Sequence, residues 1–137
     1  MLAGPAEVMD EAWRVRRRFG GGLRQAGVLA AAGLYALREH RTGLADDHAR
    51  ARELATALNG LPGISAPEPE TNVVLADLDP AVVSTDHFLG FLDSHRILML
   101  GFGPGRVRAV LHRDVDSPRM SRALAVLSEY ARAGFPA

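Results

Sequence analysis

The 137-residue sequence predicts an α/β fold of the α+β type, in which a helical N-terminal part precedes a small, mostly antiparallel three-stranded sheet covered by helices. Three observations predict it. Up to Asn59 the chain carries helix-length segments with small or apolar residues at helical spacing. Between Asn72 and His112 three short apolar runs, bounded by glycine, proline and aspartate, are of strand length. The connections between those runs are short, which suits antiparallel neighbours.

The first helix is expected from Ala6 to Phe19, with Pro5 at its first position, Val8, Ala12, Val15 and Phe19 on one stripe, and Gly20-Gly21-Gly22 ending it. A second should run from Leu23 to His40. Its apolar stretch from Ala26 to Leu37 is about 12 residues, too short for a bilayer, and reads as a buried helix that Gly27 and Gly33 let another helix approach. Thr42 can cap a third helix, whose stripe of Leu44, His48, Ala51, Leu54, Ala55 and Leu58 opposes Asp46, Asp47, Arg50 and Glu53. After a loop punctuated by Pro62, Pro67 and Pro69, Asn72 to Leu78 reads as a strand and Asp79-Pro80 closes it. Ser84 or Thr85 caps a helix to His95; Ile97 to Leu100 and Arg106 to His112 are the remaining strands, separated by Gly101-Phe102-Gly103-Pro104-Gly105. Ser117-Pro118 opens a last helix with Leu124, Val126, Leu127 and Tyr130 inside.

Sixteen acidic residues balance sixteen basic ones, so no net field draws the chain to nucleic acid or to an anionic membrane. Cysteine is absent, which excludes disulfides and thiolate metal sites and fits a cytoplasmic location. The start has no basic region followed by an apolar run, so it is not read as a secretory signal. All sixteen basic residues are arginine. With no lysine, this chain has no side-chain amine to form a Schiff base, and no catalytic residue is assigned to it.

Strand alternation puts Arg106, Arg108, Val110 and His112 on one face of the last strand and Val107, Ala109 and Leu111 on the other. Arg108 lies mid-strand, where a guanidinium needs an anion, and two readings stand: a bound carboxylate, which its fork fits, or a structural pair with an Asp or Glu. Gly20-Gly21-Gly22-Leu23-Arg24-Gln25 puts a flexible loop and an arginine at a helix start, a weak phosphate signal in a pattern that is more often a hinge. The five histidines show no metal-ligand spacing, so no metal site is expected. Arg14, Arg16, Arg17 and Arg18 are one short basic run in a neutral chain and a poor nucleic-acid footprint.

Taken together, RRRFGGGLRQAGVLAAAGLYAL, ADDHARARELA, PETNVV and FGPGRVRAVLHRDV resemble, in order and over nearly the whole chain, the C-terminal part of low-specificity L-threonine aldolases. These belong to the aromatic amino acid beta-eliminating lyase and threonine aldolase family on the fold-type I pyridoxal-phosphate scaffold. The resemblance implies that residues 1–137 form a single C-terminal, small domain, and that the larger domain holding pyridoxal 5'-phosphate through a lysine is absent. It implies cleavage of L-threonine or L-allo-threonine to glycine and acetaldehyde by the complete homo-oligomeric enzyme, and inactivity of this chain alone. Arg108 matches the arginine that holds the amino-acid substrate's α-carboxylate, and Arg24 matches one near the cofactor phosphate and the subunit boundary. Where the family commonly has valine-threonine-histidine, Val110-Leu111-His112 lacks the threonine, which reads as a side chain lost beside the site. Two other functions compete with this one: a non-catalytic binding or oligomerisation module that pairs with a full-length paralogue, and a stand-alone binder of a small carboxylate through Arg108.

Overall fold

A computed structural model describes residues 2–133, and the chain divides into two compact units, residues 1–42 and 43–137. In the first unit, α1 (Ala6–Arg18) starts one residue after Pro5, which serves as N-cap rather than first helical residue: its carbonyl accepts from Met9 N–H at 3.0 Å. The glycines stop α1 in a defined way. Gly20 takes a φ of +76°, and the N–H groups of Gly20 and Gly21 turn back to the carbonyls of Arg17 and Arg16 at 3.2 and 2.8 Å, closing two of the helix's open carbonyls.

The segment expected as one helix from Leu23 is shorter and broken. Leu23 to Gln25 lead into α2 (Ala26–Tyr35), which continues as a π-helical turn (Ala36–His40) and a 3-10 turn (Arg41–Gly43). Thr42 therefore lies inside a turn, and Gly43 is the N-cap of the next helix. None of α2 is buried, contrary to its all-round apolar sequence, and Val28, Leu29 and Tyr35 stand exposed.

The second unit opens with α3 (Leu44–Asn59), whose Ala51, Leu54, Ala55 and Leu58 are buried as their spacing predicts. Two members of the pattern depart from it. Leu44 is half-exposed, and Asp47, assigned to the polar face, is buried with Oδ1 accepting from Arg50 Nη1 at 3.3 Å. Asn59 fastens the helix end to the following loop, donating to Ala66 O at 2.6 Å and accepting from Ala66 N–H at 2.8 Å. The loop carries a strand that the sequence reading missed, β1 (Ile64–Ser65), so the sheet has four strands rather than three.

The others are β2 (Val73–Leu78), β3 (Leu100–Gly101) and β4 (Arg106–Val110), in the order β1-β2-β4-β3, every pair antiparallel. Between β2 and β3, α4 (Thr85–Ser94) is capped by Ser84, whose Oγ accepts from His87 N–H at 3.4 Å. Of the strand expected over Ile97 to Leu100 only Leu100 pairs with β4. The chain closes with α5 (Ser117–Ala133), whose cap is Asp116 rather than Ser117: Asp116 Oδ1 accepts from Arg119 N–H at 3.0 Å. The core lies between one sheet face and the helices, where Leu58, Val74, Val83, Phe88, Leu92, Val107 and Tyr130 are fully buried. Each such large side chain contributes on the order of 1.5–3 kcal/mol relative to exposure. The other sheet face is open: Val73, Asp77, Arg106 and Val110 are exposed and Leu75 and Arg108 half-buried.

Candidate functional site

The open face is where chemistry-bearing side chains collect. Along β4, burial follows the alternation residue by residue: Val107, Ala109 and Leu111 enter the core, and Arg106, Arg108, Val110 and His112 face outward. Two arginines thus share one face two residues apart, and the structure treats them differently. Arg106 stands opposite Asp77 of β2 and grips it with both ends of its fork, Nε to Oδ1 at 2.5 Å and Nη2 to Oδ2 at 2.9 Å. That bidentate bond holds the Asp77 carboxyl below, and the Arg106 guanidinium above, its ordinary pKa.

Arg108 has no such partner. Its directly opposite neighbours are Leu75 on β2 and Leu100 on β3, both apolar, and the acid diagonal to it, Asp77, has both oxygens taken by Arg106. Nε is buried without a hydrogen-bond partner, and the guanidinium makes no ion pair among the described residues. What holds it is the ring of Phe102, whose centroid lies 5.3 Å from the guanidinium carbon. Phe102 reaches this position because its N–H donates to Arg106 O at 2.8 Å, placing its side chain on the arginines' face. A cation on an apolar floor, with donors left over, binds an anion more strongly than the same group in open water.

The sequence reading placed Arg108 correctly on the strand and left its partner open; it missed Phe102, whose only signal was an aromatic within a glycine-rich loop. It also placed the missing threonine beside the site. Position 111 is Leu111, 4% exposed and on the core face, opposite to Arg108, because strand side chains alternate. Asn72 ties this end of β4 to β2, accepting from Leu111 N–H through its backbone at 2.8 Å and donating from Nδ2 to Leu111 O at 2.6 Å. Arg24 belongs to the first unit. It is exposed in the turn before α2, makes no ion pair among the described residues, and leads into a helix start that no side chain caps.

Residues 1–81 match the family model described as beta-eliminating lyase, well over half of the chain. The chain belongs to the beta-eliminating lyase family. Among curated relatives it is similar to low-specificity L-threonine aldolase 1 of Arabidopsis thaliana, 33% identical over 120 residues, which cover 85% of this chain and 34% of that protein. It spans about a third of the length of that relative. Among solved structures it is similar to one from Exiguobacterium described as an aromatic amino acid beta-eliminating lyase/threonine aldolase (TM-score 0.61, 22% identity, 93% of this chain and 39% of that one). It is also similar to a variant of C-DES with glycine covalently linked to its pyridoxal-phosphate cofactor (TM-score 0.57, 24% identity, 76% and 28%). At these identities the two structures establish the fold, that of pyridoxal-phosphate enzymes, and the expected α+β architecture with it.

Proposed function

We propose that this chain is the C-terminal, small-domain portion of a pyridoxal-phosphate-dependent threonine aldolase, and that Arg108 holds the α-carboxylate of the amino-acid substrate. The observation that carries the reading is the unpartnered guanidinium of Arg108 in mid-sheet, beside an arginine that does have its acid. A structural role for Arg108 needs an Asp or Glu, and its directly opposite neighbours are Leu75 and Leu100. A substrate carboxylate supplies the missing anion and accepts two parallel N–H bonds from one fork. The Phe102 ring keeps the fork from swinging, so that binding orients the substrate rather than merely attracting it.

The residues present fit a cofactor phosphate in kind. Arg24 and the uncapped first turn of α2 combine a cation with free amides at the positive end of a helix dipole. When bound, pyridoxal phosphate supplies the electron sink for cleaving the bond between Cα and Cβ. This chain adds no covalent bond to it, because it has no lysine. Its own contribution is to grip the carboxylate through Arg108 and to place a positive charge at the phosphate through Arg24. By itself we expect the chain to be inactive, and we place it in the cytoplasm, in a homo-oligomer or beside a full-length paralogue.

The exposed apolar surface of α2 favours a second reading, a non-catalytic module that pairs with a longer paralogue. The intact mass of the native gene product, together with its cleavage of L-threonine, separates the two. A mass well above 14.7 kDa with a lysine-bearing segment and threonine cleavage supports the aldolase. A mass of 14.7 kDa with no cleavage removes it in favour of the module.

A further inference from the structure

Away from Arg108, the second unit has a cleft of about 280 Å³ between the Ile97–Met99 segment, the end of β4 and the first half of α5. It exists because the β3–β4 ladder stops at Leu100↔Arg108, leaving Ile97 to Met99 outside the pairing. Its floor is core: Leu92, Leu111, Met120 and Leu127 all line it and are buried. Its polar lining is three arginines, Arg96, Arg119 and Arg122, with no acidic residue among the lining.

Those arginines are compensated unequally. Arg119 bonds Asp116 Oδ2 at 2.9 Å and Asp114 O at 3.0 Å. Arg122 gives one N–H to a neutral group, His95 O, at 3.0 Å, and Arg96, held at a φ of +58°, makes no side-chain hydrogen bond among the described residues. Arg96 and Arg122, both exposed, thus line the apolar cleft without a carboxylate. A wholly apolar occupant would leave both charges without an anion, and a small bare anion would leave the floor unfilled. The volume sits just below the ~300–1,000 Å³ of drug-sized sites, which limits the occupant to a small molecule.

We propose that this cleft binds a small carboxylate with an apolar tail, its head between Arg96 and Arg122 and its tail on Leu92, Met120 and Leu127. The site is independent of the aldolase reading, since it shares no residue with Arg108 or Arg24. The test titrates the 137-residue chain with octanoate, octan-1-ol and acetate, following the methyl NMR signals of Met120 and Leu127. Octanoate should saturate these signals, octanol should bind about tenfold more weakly, as expected for one lost charge-assisted contact, and acetate should leave the methyls unmoved. Arg96→Gln combined with Arg122→Gln should weaken octanoate about tenfold and leave octanol unchanged. If that variant fails to fold, the comparison of octanoate with octanol on the parent chain still decides. Equal binding of the two, or no methyl shift with either, overturns the proposal. So does a chain that dimerises through this cleft, recognised by conversion to monomer on Ala123→Trp together with no octanoate binding.

Discussion

Replacing Arg108 with methionine distinguishes a residue kept for binding from one kept for folding. Methionine matches the unbranched apolar stem of arginine and deletes the guanidinium. In the folded chain that guanidinium has a buried Nε without a partner, and deleting an unsatisfied buried donor recovers about 1–3 kcal/mol. Against this stands the loss of its contact with the Phe102 ring, 5.3 Å away, worth about 0.5–1 kcal/mol at a partly exposed site. The difference is a net stabilisation of about 1 kcal/mol, which for a unit of this size raises Tm by about 4–8 °C. The assay is urea and thermal unfolding of the 137-residue chain by circular dichroism, with β2 and β4 amide signals assigning the transition to the second unit. A loss of about 1 kcal/mol or more would mean that Arg108 is held by the fold itself, and the case for a bound carboxylate would fall with it.

Four further outcomes follow from the packing. Asp77 has a depressed pKa in the folded chain, so its bond to Arg106 adds stability above the ordinary carboxylate value of 3.8 and loses it as pH falls below; Asp77→Asn should flatten this acid limb of the urea-midpoint profile. Asn59→Ala strands both the N–H and the C=O of buried Ala66 and should cost about 1–3 kcal/mol in urea unfolding with an unchanged slope. Gly63 holds a φ of +72° with its absent Cβ only 2.6 Å from Val82 Cβ, so Gly63→Ala should cost at least about 2 kcal/mol from strain and overpacking. Gly90→Ala, in open space on α4, should instead gain about 0.5–1 kcal/mol, and calorimetry of the pair checks the contrast.

Much of the second unit was legible because its period is short. The odd–even split along Arg106 to His112 follows from strand geometry alone, and the Ser84 cap and the buried stripe of α3 follow from helix chemistry. The illegible parts depend on which segments meet. Arg106 finds Asp77 from 29 residues away, and Arg108 is left without an acid among the described residues, through the β2–β4 register, which no local pattern contains. The strand Ile64–Ser65 is two residues long and exists only because β2 is beside it. Asp47 is buried with Arg50, a pairing that a polar face does not announce. On α2, an apolar circumference ordinarily signals burial, yet burial needs a surface to pack on, and none of its residues is buried in this chain.

The steady-state cleavage of L-threonine by the native gene product, compared with its Arg108→Gln form, bears most directly on the assignment of this chain. If Arg108 holds the α-carboxylate, the parent cleaves L-threonine, and the variant keeps its cofactor absorbance while KM for L-threonine rises about 10–100-fold, the equivalent of losing hydrogen bonds of about 1.5–3 kcal/mol to a charged group. An unchanged KM in an active parent would contradict it.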